Sequence, residues 1–225
     1  MKRLNVAFVY VIFFLWSSIY YLGESNLGMA RAYTSLQMIK PFVYRQLPMI
    51  LARLLESLGI RIDLALVLVM TAAGIGFYIA LCELAHLFYR PDQRGDLILI
   101  GLVLLGLVMF GAYRMPYDPF TGWLFTLYLI RLARGDDLAM LVVFALACLN
   151  RETAILLVPV AGAVILLRKD IKAAAWTVLQ QVLIFGVIQG GLHYIFRENA
   201  GSVAWIEPMQ NIRRFIESPW RTMSH

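Results

Sequence analysis

Residues 138–167 read LAMLVVFALACLNRETAILLVPVAGAVILL. The run is apolar except at Asn150-Arg151-Glu152, near its middle. How that interruption is read decides the fold. One continuous helix would measure about 45 Å at 1.5 Å per residue. It would carry two charges and an amide at its midpoint, which is expensive in an apolar surround without partners. Two helices, 138–149 and 153–167, instead put Asn150-Arg151-Glu152 at a turn.

The charges elsewhere favour the two-helix reading. Five further apolar segments lie at 5–22, 63–89, 97–113, 120–133 and 173–196. With the N-terminus inside and seven spans, one face collects Lys2, Arg3, Arg90, Arg94, Arg131, Arg134, Arg168, Lys169 and Lys172. The short turns of the other face hold only Arg114 and Arg151. Nine basic residues against two is the positive-inside pattern of membrane proteins. A fused helix would move Arg168, Lys169 and Lys172 across and erase that bias. The segments between 120 and 167 are shorter than the roughly 20 residues of a full span, so they tilt, thin the bilayer or end at a cavity.

Composition agrees. Of 225 residues, 61% are hydrophobic and 15% charged, and the mean hydropathy is +0.73. Soluble domains hold about 25% charged residues. The expected fold is therefore all-α: a polytopic integral membrane helical bundle of about seven spans, treated as one domain over 1–225. The net charge of +6 fits basic residues at a membrane face better than nucleic acid, since no basic run with interleaved aromatics lies outside the spans. The expected place is the cell inner membrane, with the N-terminus cytoplasmic. Cys82 and Cys148 sit in apolar runs without Cys or His at ligand spacing and read as packing or lipid-facing residues. The first segment follows Met1-Lys2-Arg3 and reads as a retained signal anchor rather than a cleaved peptide.

The first outer loop, 23–62, has a different character. Val43, Leu47, Ile50, Leu51, Leu54, Leu55 and Leu58 recur at helical spacing, with Arg45, Arg53 and Glu56 elsewhere. This predicts an amphipathic interfacial helix over 43–58, started near Pro41 or Pro48 and ended by Gly59. The tail, 197–225, is polar and aromatic and lies on the same outer side.

That side also collects the candidate functional residues. They are Glu24 and Arg45 in the first loop, Arg114, Tyr117 and Asp118 after the third segment, Asn150, Arg151 and Glu152, and His193 near the end of the last. Boundary carboxylates with arginines point to a functional site by default. A structural reading stands beside it: Arg151 and Glu152 point to different faces and pin the bundle, Arg151 pairing for instance with Asp118. Asp118 before Pro119 also suits a helix start. Motifs for a serine protease, a zinc protease and a phosphate loop are absent.

Three stretches carry a family resemblance: Pro41-Phe-Val-Tyr-Arg45-Gln-Leu-Pro48, Tyr117-Asp118-Pro-Phe and Leu149-Asn150-Arg151-Glu152-Thr153-Ala154. Together with the order of segments, they resemble the GT-C superfamily of membrane glycosyltransferases, in particular bacterial members with unassigned substrates. The resemblance covers roughly 5–196. It implies the conserved N-terminal module of about seven spans and a sugar donor on polyprenyl phosphate. It further implies an acidic base in the first outer loop, where Glu24 stands in place of the usual aspartate. Arg45, Arg114 and Arg151 become candidates for holding the lipid phosphate, with Tyr117, Asp118, Asn150, Glu152 and His193 around the substrate. No metal and no cofactor are expected beyond the lipid-linked sugar itself.

The residue chemistry is coherent with that expectation. A carboxylate takes the acceptor's hydroxyl proton. Arginine matches phosphate through its planar fork. The expected partners are a polyprenyl-phosphate lipid and membrane lipids, with a protein partner left open and no nucleic acid. Two rival readings remain: a non-enzymatic membrane subunit or scaffold, and a flippase or transporter of lipid-linked sugars.

Overall fold

A computed structural model describes residues 42–90 and 117–200, together with Leu15, Leu36 and Lys40. Among these residues the fold is all-helical. A 3-10 turn at Phe42–Tyr44 leads into α1, Leu47–Ser57. Then come α2, Ile62–Phe88, and α3, Tyr117–Arg134. Next is α4, Asp137–Asn150, followed by a 3-10 turn at Glu152–Leu156. The described chain ends with α5, Leu157–Arg168, and α6, Ile171–Ile195. The expected segments at 5–22 and 97–113 lie outside the described residues.

Local chemistry explains the boundaries. Pro48 stands in the first turn of α1, where its missing N–H leaves no bond unmade. Gly59 follows α1 and Gly135 follows α3, both at positive φ (88° and 73°), a conformation that glycine adopts without strain. Asp136 and Asp170 cap α4 and α6 by accepting from the backbone N–H of Ala139 and Ala173. The stretch expected as one helix over 153–167 is instead a 3-10 turn and α5. Pro159 falls in the first turn of α5, where it removes no internal hydrogen bond.

The chain is not a single helix across Asn150-Arg151-Glu152. Arg151 adopts an extended backbone (φ −161°, ψ 140°) and ends α4. The far end of α5 then returns to the start of α4, where Lys169 Nζ lies 3.1 Å from Asp137. Arg168 Nη1 donates to the carbonyls of Leu132 and Ala133 at the end of α3. Arg134 reaches Glu83, near the end of α2, at 2.7 Å. One end of the bundle thus holds Glu83, Arg131, Arg134, Asp137, Arg168 and Lys169, and is called the basic end below. The other holds Arg45, Asp118, Asn150, Arg151, Glu152 and His193. Of the residues sorted by charge bias, Arg131, Arg134, Arg168 and Lys169 thus fall at one end and Arg151 at the other. Helices α2 and α3 run in the same direction, from the second end to the basic end.

Two devices hold the helices together. The first is close approach between α2 and α3. The Trp123 indole packs on Gly76, and the Phe77 ring packs 3.2 Å from where a Cβ on Gly122 would stand. The second is a polar junction in the core. Fully buried Tyr128 on α3 donates to the Leu157 carbonyl at the start of α5 and accepts from Gln181 Nε2 on α6 at 2.8 Å. Met140 and Phe144 adjoin it, both nearly inaccessible.

Two helices, α2 and α6, are long and apolar enough to cross a membrane. At 27 and 25 residues they measure about 40 and 37 Å, against a hydrocarbon thickness of about 30 Å. Shorter α4 is apolar as well. The outward side of α6 exposes Trp176, Leu179, Leu183, Val187 and Ile195. In α1 the residues that pack inward are Leu47, Met49 and Ala52, while Ile50 and Leu54, with Leu58 just after the helix, are exposed. The amphipathic pattern expected over 43–58 is present, but the helix starts at Leu47, with Gln46 bonded to Leu149 of α4 and Arg45 to Glu152 in the following 3-10 turn.

A Cβ on Gly76 would overlap the Trp123 indole. Gly76→Val should therefore lower stability by about 1–3 kcal/mol, the usual cost of overpacking. Adding Trp123→Ala should recover part of the loss. Thermal unfolding in detergent followed by circular dichroism checks this; an unchanged midpoint for Gly76→Val would contradict the close packing.

Candidate functional site

Four charged side chains from three parts of the chain meet at the end opposite the basic end. The extended backbone at Arg151 is the reason. It sends Arg151 and Glu152 in different directions. Glu152 receives a two-pronged contact from Arg45, with Nη2–Oε1 at 2.6 Å and Nε–Oε2 at 3.2 Å. Arg151 turns the other way, and its Nη1 lies 2.9 Å from Asp118 Oδ1 in the first turn of α3. Asn150 Nδ2 donates to Thr121 Oγ1 at 2.9 Å, one turn further along α3.

The loop bearing Arg45 is anchored independently. The Gln46 N–H donates to the Leu149 carbonyl at 2.9 Å, and Gln46 Nε2 donates to the Val43 carbonyl. The Arg45 guanidinium also lies 5.3 Å from the Phe42 ring centroid, at cation–π distance. Beside it, Tyr44 and His193 stack with centroids 4.1 Å apart at 45°. Gln189, one turn before His193 on α6, donates to the Cys148 carbonyl at 2.7 Å. Lys40 closes this corner by donating to the Arg197 carbonyl at 2.6 Å.

The two ion pairs differ in accessibility. The Arg45 and Glu152 side chains are 8% and 20% exposed. Burial pushes the Glu152 carboxyl up, but the hydrogen bonds and charge of Arg45, aided by Arg151, outweigh it and hold it below its ordinary value. Burial alone pushes the Tyr44 phenol up. Arg151 is 31% exposed while its partner Asp118 is 14%. Arg45 is thus committed to its carboxylate on both prongs. Of the two paired guanidiniums, that of Arg151 is the more exposed. Among the described residues, no group of three or more His, Cys, Asp or Glu side chains is placed to hold a metal.

Six of the expected site residues therefore fall at one end: Arg45, Asp118, Asn150, Arg151, Glu152 and His193. Tyr117 opens α3 at the same end. Glu24 and Arg114 lie outside the described residues. Sequence reasoning missed Tyr44, Thr121 and Gln189, which contact His193, Asn150 and the Cys148 carbonyl beside the charged groups. Helical spacing would have found two of them: Thr121 is three residues from Asp118, and Gln189 is four from His193. Comparison with protein-family models, curated proteins and solved structures finds no match.

Breaking half of the Arg45–Glu152 pair strands a mostly buried charge. Arg45→Met or Glu152→Leu alone should destabilise the protein by on the order of 3 kcal/mol, while the double variant recovers most of it. The pair also sets a pH dependence. The folded carboxyl titrates below its ordinary value of 4.5, so its stabilisation is complete above about that pH. It is lost as pH falls through the lowered value. Unfolding midpoints measured from pH 7 to pH 3 should fall less steeply for Glu152→Gln than for the unchanged protein.

Proposed function

We propose that this chain is a membrane-embedded transferase of the GT-C type, moving a sugar from a polyprenyl-phosphate donor to an acceptor at the extracytoplasmic face. In this reading about seven helices cross the inner membrane, and the basic end faces the cytoplasm. The observation that carries the reading is the convergence at one end. Residues from the stretches 41–48, 117–120 and 149–154 meet there although they lie far apart in sequence. Arg151 offers a reachable fork to the departing lipid phosphate, which takes the place of Asp118 as its partner. Glu24 takes the acceptor's hydroxyl proton as the acceptor oxygen attacks the sugar's anomeric carbon and the phosphate leaves. Glu152 and Arg45 hold the turn from which Arg151 projects.

A second reading has a specific observation behind it. Both ion pairs satisfy each other, so the cluster also suits a non-enzymatic membrane subunit whose charges only pin helices. The two readings separate by experiment. Glu24→Gln and Arg151→Ala should each reduce transfer from a polyprenyl-phosphate sugar in reconstituted vesicles at least a hundredfold, with insertion and yield unchanged. Full transfer in both variants would remove the site assignment. Loss of yield for Arg151→Ala, with no transfer by the unchanged chain, would favour the subunit.

A further inference from the structure

A cavity of about 560 Å³ opens at the basic end, far from the polar cluster. Its wall comes from three helix ends: Leu84 and Phe88 on α2, Leu129 and Leu132 on α3, and Val164 and Arg168 on α5. The volume lies within the roughly 300–1,000 Å³ of sites that take small molecules. The wall is apolar, and Arg168 is its one charged residue.

The electrostatics of this end are uneven. Glu83 is taken by Arg134 at 2.7 Å, Asp137 by Lys169 at 3.1 Å and Asp136 by Arg131 at 3.7 Å. Asp170 caps α6. Among the described residues no carboxylate is in ion-pair contact with Arg168. Its Nη1 donates to two carbonyls at the C-terminus of α3, which fixes the guanidinium at the edge of the cavity. The remaining donors of the fork are those a phosphodiester oxygen would meet.

We propose that this cavity binds an anionic phospholipid of the adjacent leaflet, with one acyl chain in the apolar groove and its phosphate on Arg168. Charge complementarity selects the occupant: an apolar slot beside an uncompensated cation at a helix-bundle end matches a lipid with an acidic headgroup. The inference rests on the membrane placement proposed above and is independent of the sugar chemistry.

The test uses the full chain in nanodiscs of phosphatidylcholine containing a minor fraction of phosphatidylglycerol, with retained lipids read by native mass spectrometry. The unchanged protein should retain phosphatidylglycerol about fivefold or more over its share of the bilayer. Arg168→Ala should abolish that preference. Val164→Trp, which fills the groove and leaves the cation, should abolish it too. Lys172→Ala, an exposed basic residue at the same end, should preserve it. Equal retention of both lipids by the unchanged protein would overturn the site. So would a loss in Lys172→Ala as large as in Arg168→Ala, or full preference in Val164→Trp. Carbonate extraction of the cell membranes separates the two levels. A chain released by carbonate overturns the membrane placement and this site together, whereas a retained chain without lipid preference overturns this site alone.

Discussion

Arg151 and Glu152 are neighbours in the chain, yet each is held by a carboxylate or guanidinium on a different element. Arg151 is bound to Asp118 on α3, and Glu152 to Arg45 in the segment before α1. These opposed ion pairs stabilise an extended residue between two apolar helices. Pro159, three residues into α5, is a second obstacle to one continuous helix over 138–168, since a proline inside a helix removes a hydrogen bond and clashes with the preceding turn. The return of α5 toward the start of α4 follows from this break, and so does the placement of Arg168 and Lys169 beside Arg134. Partly buried ion pairs contribute modestly to net stability because desolvation offsets attraction. Their main effect here is to specify one chain path over another.

The consequence is a bundle with two unlike ends. At one, charges from distant stretches are paired with each other and surrounded by Tyr44, Thr121, Gln189 and His193. At the other, pairs are more exposed and basic residues are in excess. Between them runs a core whose few polar groups, such as Gln181 and Tyr128, bond across helices. This separation is what a membrane bundle with a site at one face requires. Close packing at Gly76 and Gly122 fixes α2 against α3 along their length.

Much of the fold was legible because charge is scarce. In a chain this apolar, the interruption at Asn150-Arg151-Glu152 stood out, and the basic residues sorted onto two sides before any contact was known. The Arg151–Asp118 pair could be named as a possibility from residue type and expected side. The Arg45–Glu152 pair could not, because 107 residues separate its members and sequence spacing says nothing about which arginine meets which carboxylate. Thr121 and Gln189 carry no charge, and only their helical spacing from Asp118 and His193 marks them. The division of 153–167 into a 3-10 turn and α5 was also hidden, since it arises from the geometry of the break and not from local propensity. Span number does not follow from hydropathy alone: among the described residues α2 and α6 are long and apolar enough to cross a membrane, whereas α4 and α5 are shorter than the hydrocarbon thickness.

The most direct measurement is the sidedness of the two ends in intact cells. Single cysteines are placed at Glu198, next to the polar cluster, and at Lys172, at the basic end, with Cys82 and Cys148 replaced by alanine. A membrane-impermeant thiol reagent should label Glu198→Cys in intact cells and Lys172→Cys only after the membrane is opened. Labelling of both from the same side would contradict a bundle whose ends face opposite sides of a membrane.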